Sequence, residues 1–138
     1  MRKFELEHRV AYVETDAMAI VHHSNYIRWF EMGRNDMLRT IGYPYSKLEK
    51  MGIWMPVIGV ACDYKSPAVF DEVVLIRAWV DKVNGASVYL AYEVVGKESG
   101  EVKVTGSSSH GVTDTDLRPL RLKKEFPDLY EKLVNAMK

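Results

Sequence analysis

The chain opens on an alternation of apolar and charged side chains. Phe4, Leu6, His8, Val10 and Tyr12 alternate with Glu5, Glu7 and Arg9, a period of two that predicts a strand over residues 4–13 with one wet face. Residues 14–23 have no clean period and are expected to form a loop. The period then lengthens. Tyr26, Trp29, Phe30, Gly33, Met37, Leu38 and Ile41 recur at steps of three and four, which makes one apolar stripe along an amphipathic helix. Arg28, Glu31, Arg34, Asp36 and Arg39 fall largely elsewhere on that cylinder. Ser24 or Asn25 is expected to cap its start with a side-chain oxygen, and Gly42 with Pro44 to end it. Gly33 costs a helix roughly 1 kcal/mol relative to alanine, so close approach of its backbone to a neighbouring surface is a reasonable motive.

Beyond this helix a short second one is expected at residues 46–51, and then mostly strands. The first covers residues 54–65 and is interrupted or ended by Ser66-Pro67, because proline cannot donate to a central ladder. Residues 72–83 follow, with Val73, Leu75 and Trp79 on one face and Val74, Ile76 and Val80 on the other. Asn84-Gly85 is a hairpin signal. Residues 87–95 return, 97–100 turn again, and 102–113 run back. Residues 114–119 read as loop. Pro127 starts a terminal helix with Phe126, Tyr130, Leu133, Val134 and Met137 as its apolar side. Strand, long helix, then a meander of about four antiparallel strands is an α+β order, expected to form one domain over residues 1–138. Several strands are apolar on both faces, so self-association that covers a face or joins sheet edges is expected.

Composition narrows the classes. With 138 residues, 47% of them hydrophobic, the chain can build a core. Its 19 Lys and Arg balance 19 Asp and Glu without a basic block, which argues against a nucleic-acid partner. The run at residues 118–124 holds Arg118, Arg121, Lys123 and Lys124 among leucines and reads more readily as a solvated connection than as a binding patch. The lone Cys62 excludes an intrachain disulfide. It lies in an apolar run with no activating base near it in sequence, and reads as a small buried hydrophobe. Residues 1–9 are charged and lack an apolar signal core, and no apolar stretch approaches the ~18 residues needed to span a bilayer. A soluble protein of the reducing cytosol, with no membrane partner, is expected. His22 and His23 are adjacent while His8 and His110 stand alone, so metal-ligand spacing is lacking and no metal is expected.

Candidate chemistry concentrates in residues 12–34, YVETDAMAIVHHSNYIRWFEMGR. Asp16 falls in the irregular loop just before the helix, whose first turn offers unpaired N–H groups and the positive end of the helix dipole. Such amides can polarise a carbonyl and hold a developing oxyanion, while a carboxylate beside them attacks that carbon or activates a water. An Asp here equally suits capping or loop folding, and His22 and His23 equally suit ordinary loop positions. Spacing alone leaves those roles open.

The same stretch resembles the signature of the 4-hydroxybenzoyl-CoA thioesterase family and related bacterial acyl-CoA thioesterases. Thr15-Asp16, Val21-His22-His23, Asn25-Tyr26, Phe30-Glu31 and Arg34 match it in order, and Tyr64-Lys65-Ser66-Pro67 followed by Asp71 resembles a second landmark. The resemblance implies a hotdog fold, an antiparallel sheet wrapped around a long central helix. It implies hydrolysis of an acyl-CoA to free acid and CoA with no cofactor, in a homodimer or homotetramer with sites at the subunit interface. It further implies Asp16 as nucleophile or general base and the His23 backbone N–H as carbonyl donor, with the His23 side chain orienting water or substrate. Asn25 and Tyr26 would shape the loop and the helix packing. His22 would stand near the substrate. Tyr12 would line the acyl pocket or pack in the core. Glu31 would face the pocket floor or hold an ion pair.

Lys65, Ser66 and Arg118, with Lys82 and Arg121, are candidates for the CoA phosphates. Met18, Met32, Met51, Met55, Trp54 and Ile58 are candidates for pocket lining or core, which leaves the acyl group open. Ala19 stands where the family carries a glycine. If that position needs positive φ, alanine is strained there. Two other functions remain open: an acyl-thioester hydratase or dehydratase, whose usual Asp, Asn and His patterns do not occur around His22, His23 or His110, and an acyl-CoA-binding protein without turnover.

Overall fold

A computed structural model describes residues 2–138, so Met1, the first residue of the charged N-terminal stretch, lies outside the described residues. Along the chain run β1 (Phe4–Arg9), a 3-10 turn (Tyr12–Glu14), α1 (Ser24–Thr40), α2 (Tyr45–Lys50), β2 (Val57–Tyr64), β3 (Val73–Val83), β4 (Ser87–Gly96), β5 (Val102–Gly111), α3 (Leu122–Glu125) and α4 (Pro127–Ala136). The strands form one antiparallel sheet in the order β1-β3-β4-β5-β2, with α1 packed on it. This is the α+β hotdog fold.

The core lies between that helix and the sheet. From α1 come Tyr26, Trp29, Phe30, Gly33, Met37 and Leu38. From the facing side of the sheet come Val74, Ile76, Ala78 and Val80 of β3 and Val88, Leu90, Tyr92 and Val94 of β4, all buried. Two glycines let the layers close. A Cβ on Gly33 would stand 2.9 Å from Ile76 Cγ2. A Cβ on Gly106, in β5, would collide with the Phe30 ring and stand 2.7 Å from the Ala61 carbonyl oxygen. The Phe30 ring therefore occupies the space above a bare strand, stacked on Tyr92 with ring centroids 4.5 Å apart.

Several elements depart from their sequence pattern. β1 ends at Arg9, and the chain turns sharply at Tyr12, which is 76% exposed and takes no part in the core. β2 pairs not with β3 but with β5 at the far edge, Tyr64 opposite Val104 and Val57 opposite His110. The meander thus has three strands, β3 to β5, and β1 and β2 are its edges. Neither Ser24 nor Asn25 caps α1. The cap position is His23, without a side-chain cap bond, and the Asn25 side chain donates to the Glu14 carbonyl oxygen at 2.8 Å. In α4 the buried side chains are Leu129, Leu133 and Ala136, so its stripe is rotated from the expected one. The short α3 falls in a stretch whose pattern marks no helix.

His110, isolated in sequence, joins a buried chain in which Tyr92 Oη lies 2.6 Å from Ser108 Oγ and Ser108 Oγ lies 2.7 Å from His110 Nε2. Burial, and after it the Arg34 charge, push its imidazole down to about 4, so it is neutral near pH 7. Cys62 is half-buried and burial pushes its thiol up, against a reactive thiolate. Among the described residues no helix is long and apolar enough to cross a membrane.

Because Gly106 contacts both a ring and a carbonyl, Gly106→Ala must push α1 off the sheet or twist β5. The expected loss is at least ~2 kcal/mol, several degrees in thermal midpoint. A melt indistinguishable from wild type would show that α1 is not held this closely.

Candidate active site

After Val10 the chain leaves the sheet. Val10 N–H donates to the Glu72 carbonyl and Asp71 N–H to the Val10 carbonyl, at 2.8 and 3.0 Å, which fixes the point of departure. The 3-10 turn comes next, closed by Thr15 N–H and Thr15 Oγ1 on the Tyr12 carbonyl at 3.0 and 2.7 Å. Residues 15–21 then form a small hairpin. Thr15 and Val21 are bridged, Asp16 N–H donates to the Ile20 carbonyl, and Ala19 N–H donates to the Asp16 carbonyl, both at 2.9 Å.

A hairpin this short needs one residue in the left-handed region to reverse direction. Ala19 supplies it at φ 64°. The position does require positive φ, and alanine meets that requirement under strain. Asp16 Oδ1 accepts the Met18 N–H at 2.8 Å, a local bond that orients the carboxylate. Oδ2 has no protein partner among the described residues.

The return arm is pinned as it enters α1. Val21 N–H donates to the Ala68 carbonyl at 2.9 Å and His22 N–H to the Glu14 carbonyl at 2.8 Å. His23 then takes helical angles, φ −54° and ψ −31°, and its N–H makes no hydrogen bond among the described residues. It is one of the orphan donors every helix start leaves. The His22 and His23 rings lie 4.2 Å apart between centroids, tilted by 31°, and His22 Nδ1 lies 2.8 Å from Ser24 Oγ.

The opposite wall is the end of β2 together with residues 65–68. Tyr64 Oη donates to the His23 carbonyl at 3.2 Å. Lys65 and Ser66 N–H groups donate to the Lys103 carbonyl at 2.8 and 3.0 Å, while Lys103 Nζ donates to the Pro67 carbonyl at 3.3 Å. Lys103 is buried and paired with Glu72 and Glu101, each at 3.1 Å. Ala68 N–H donates to Tyr26 Oη at 3.0 Å.

Between these walls lies an open cleft of about 310 Å³, at the small end of ligand-pocket sizes. It brings together Asp16, His23 and Tyr26 with Lys65 and Ser66, and Met18, Ile20, Tyr64 and Pro67 add apolar surface. A larger hollow of about 590 Å³ lies beyond Pro67, but Arg9, Asp71, Glu72, Glu101 and Lys103 in its lining are already paired with one another.

Other expected site residues stand elsewhere. Asn25 braces the loop from beneath, and His22 flanks His23 without lining the cleft. Tyr12 packs edge-on against Phe70, 5.4 Å between centroids, outside the cleft. Glu31 is exposed about two turns along α1, beside Arg34, Asn35 and Val57, with no ion pair among the described residues. Arg118 follows β5 and so sits at the opposite end of the sheet from Tyr64, Lys65 and Ser66. Lys82 is at the β3–β4 hairpin, 5.7 Å from the Tyr89 ring, and Arg121 precedes α3; neither lines the cleft. Met51 and Met32 are partly buried core neighbours, Met55 is buried, and Trp54 and Ile58 are exposed.

Two further side chains matter here to which the sequence reading assigns no role. Tyr64 belongs to the second landmark, and only the structure makes it a wall of the site. Glu14 carries one indirect signal: a buried Trp29 needs an acceptor for its indole N–H, and Glu14 supplies it. Among the described residues no cluster of three or more His, Cys, Asp or Glu is placed to hold a metal.

The sequence pattern of the thioesterase superfamily matches residues 18–103, starting two residues after Asp16. A Bacillus subtilis protein named "Putative acyl-CoA thioesterase YneP" is 34% identical over 137 residues, 99% of this chain and 97% of its own. The solved structure of a DHNA-CoA thioesterase from Staphylococcus aureus superposes with TM-score 0.92 at 33% identity, covering 98% of this chain and 91% of that one. A hypothetical protein from Aquifex aeolicus superposes with TM-score 0.86 at 31% identity, over 94% of this chain and 98% of that one.

Ala19→Gly relieves the left-handed strain without touching a side-chain contact. It is expected to raise stability by about 1 kcal/mol, a rise of a few degrees in thermal midpoint. A midpoint that falls or stays fixed would mean that Ala19 carries no strain.

Proposed function

We propose, for a chain that belongs to the thioesterase superfamily and hydrolyses acyl-CoA thioesters, that the cleft beside α1 is where the reaction occurs and that Asp16 is its catalytic carboxylate. The observation that carries this reading is the pairing of two unsatisfied groups in one cleft. Among the described residues the Oδ2 of Asp16 is an acceptor without a partner, and the N–H of His23 is a donor without one.

A thioester carbonyl seated with its oxygen on the His23 N–H is polarised toward attack. Asp16 then acts on the carbon directly, forming an acyl-aspartyl anhydride that water cleaves, or takes a proton from a water that attacks. In either route the carbonyl oxygen gains charge at the His23 amide, the C–S bond breaks, CoA leaves as its thiolate and takes up a proton, and the acyl group leaves as its acid. The apolar surface of Met18, Ile20 and Tyr64 suits an acyl group, and Lys65 and Ser66 at the rim suit phosphates of CoA.

The cleft is open in one chain, and β2 suggests what closes it. Among the described residues no strand pairs with the outer side of this edge strand, which exposes Val57, Ile58, Val60 and Tyr64 at 54, 69, 46 and 50%. Long apolar edges are templates for pairing. Two β2 edges joined antiparallel would set the start of one against the end of the other. Glu31 and Arg118 both lie toward the start of β2, so those of a second copy would approach the Asp16–Lys65 end of this one. Such a pairing would make the homo-oligomer expected from the sequence, with sites at the interface.

Thiol release from acetyl-, hexanoyl-, palmitoyl- and benzoyl-CoA tests the reaction. Asp16→Asn should keep the circular dichroism of the wild type and lose at least ~100-fold in kcat. Near-normal turnover by that folded variant defeats the assignment. Hydration of an enoyl-CoA, or tight binding without CoA release across the panel, would favour the two other functions. A single turnover in ¹⁸O-water reports the anhydride route: label in the Asp16 side chain arises only when water opens the anhydride at the aspartyl carbonyl.

Light scattering tests the assembly. The wild type should have two or four times the 15.8 kDa chain mass, and Val60→Lys should shift it toward one. A strictly monomeric wild type contradicts the β2 pairing.

A further inference from the structure

Resting on the acyl-transfer reading of the cleft, we infer that Glu14 is a positioning residue of the site, holding the Asp16 carboxylate and the His23 amide at their working separation. Its side chain gathers three donors onto two oxygens. Oε1 accepts the Ala11 N–H at 2.8 Å and lies 2.9 Å from His8 Nε2; Oε2 accepts the Trp29 indole N–H at 2.6 Å. Its backbone carbonyl takes two more, from the His22 N–H and from Asn25 Nδ2, both at 2.8 Å. One residue thus ties the end of β1, the first turns of α1 and the return arm of the hairpin.

The placement of those ties matters more than their number. Asp16 follows Glu14 by two residues on the outgoing arm. His23 follows His22, the partner of the Glu14 carbonyl, on the return arm. The two reacting groups therefore hang from opposite sides of a hairpin whose base is knotted at Glu14. Trp29 sits in the buried face of α1, so the knot is anchored to the core and not to the surface. A shift of ~1 Å between reacting groups can cost on the order of 100-fold in rate.

The chemistry also requires an ionised acid. Three N–H donors converge on the side chain, and a carboxylate accepts all of them, whereas an amide would turn its own N–H₂ toward one. Burial works to raise the Glu14 carboxyl, but the bonds from Ala11, Trp29 and His8 outweigh it and hold the group below its ordinary value. The glutamate therefore stays charged near neutral pH. It lies outside the lining of the cleft, so its effect on the reaction passes through Asp16 and His23.

The experiment measures kcat and KM for Glu14→Ala, Glu14→Gln and Trp29→Phe on whichever of the four acyl-CoA esters is hydrolysed fastest, beside Asp16→Asn. Tyr43→Phe serves as a stability control, because it removes only the bond to Asp128 beyond the far end of α1. Glu14→Ala is expected to lose ~10- to 100-fold in kcat with KM changed less than about 3-fold. Glu14→Gln should fall between it and wild type, and Trp29→Phe, which keeps an aromatic ring but drops one tie, should lose several-fold. Tyr43→Phe should melt earlier with kcat intact.

Where Glu14→Ala does not fold, Glu14→Gln and Trp29→Phe decide. Variants whose kcat stays within about 3-fold of wild type, or a Tyr43→Phe protein that loses as much kcat as they do for the same drop in thermal midpoint, overturn the positioning role. A dead Asp16→Asn beside a fully active Glu14→Ala sinks this inference alone, whereas an active Asp16→Asn sinks the reading of the cleft.

Discussion

The position of the first turn of α1 depends on how closely the rest of that helix can lie on the sheet. Two bare backbone positions set the distance. Gly33 lets the helix meet Ile76 and Ala78 without a Cβ between them, and Gly106 opens a space in β5 that the Phe30 ring fills. Packing of this kind is stiff, because a gap of even a fraction of an ångström forfeits much of the dispersion energy along the whole contact. The N-terminus of the helix inherits that stiffness. His23 then presents its amide from a fixed point, as the oxyanion donor we propose it to be must.

The carboxylate side of the cleft is held by different means. The hairpin at residues 15–21 has little apolar mass, and hydrogen bonds do the holding: Asp16 to Ile20, Met18 to Asp16, His22 to Glu14 and Val21 to Ala68. The left-handed Ala19 is the one residue there held against its preference, and such strain persists only where the surroundings over-determine it. Facing it, the segment after β2 hangs from Lys103, whose charge is neutralised by Glu72 and Glu101 while its backbone and ammonium bind residues 65–67. A rigid helix start, a knotted hairpin and a charge-pinned wall therefore meet at one opening.

Much of this is legible in the chain because local chemistry specifies local shape. The three- and four-residue recurrence from Tyr26 to Ile41 marks α1, and Asn84-Gly85 marks the β3–β4 hairpin. Gly33 marks a close approach, and the φ of Ala19 meets the condition under which alanine there is strained. Other features depend on contacts distant in sequence. The apolar run within residues 54–65 says that a strand lies there, but not that it crosses to pair with β5. The alternation through Tyr12 looks continuous, yet Val10 is tied to Glu72 and the strand ends. Whether Leu129 or Tyr130 points inward turns on the angle at which α4 meets the sheet, to which its own sequence is nearly indifferent. For the site, the motif brings Asp16 and His23 to one cleft, while Glu31 and Arg118 lie at the other end of β2, a separation that linear order does not reveal.

The most direct measurement is a crystal structure of the Asp16→Asn protein soaked with the acyl-CoA it hydrolyses fastest as wild type. The thioester carbonyl oxygen is expected at hydrogen-bond distance, about 2.9 Å, from the His23 backbone nitrogen, with the substituted carboxamide against the carbonyl carbon or a water beside it. A thioester bound with its carbonyl turned away from that nitrogen, or held in another cavity altogether, would contradict it.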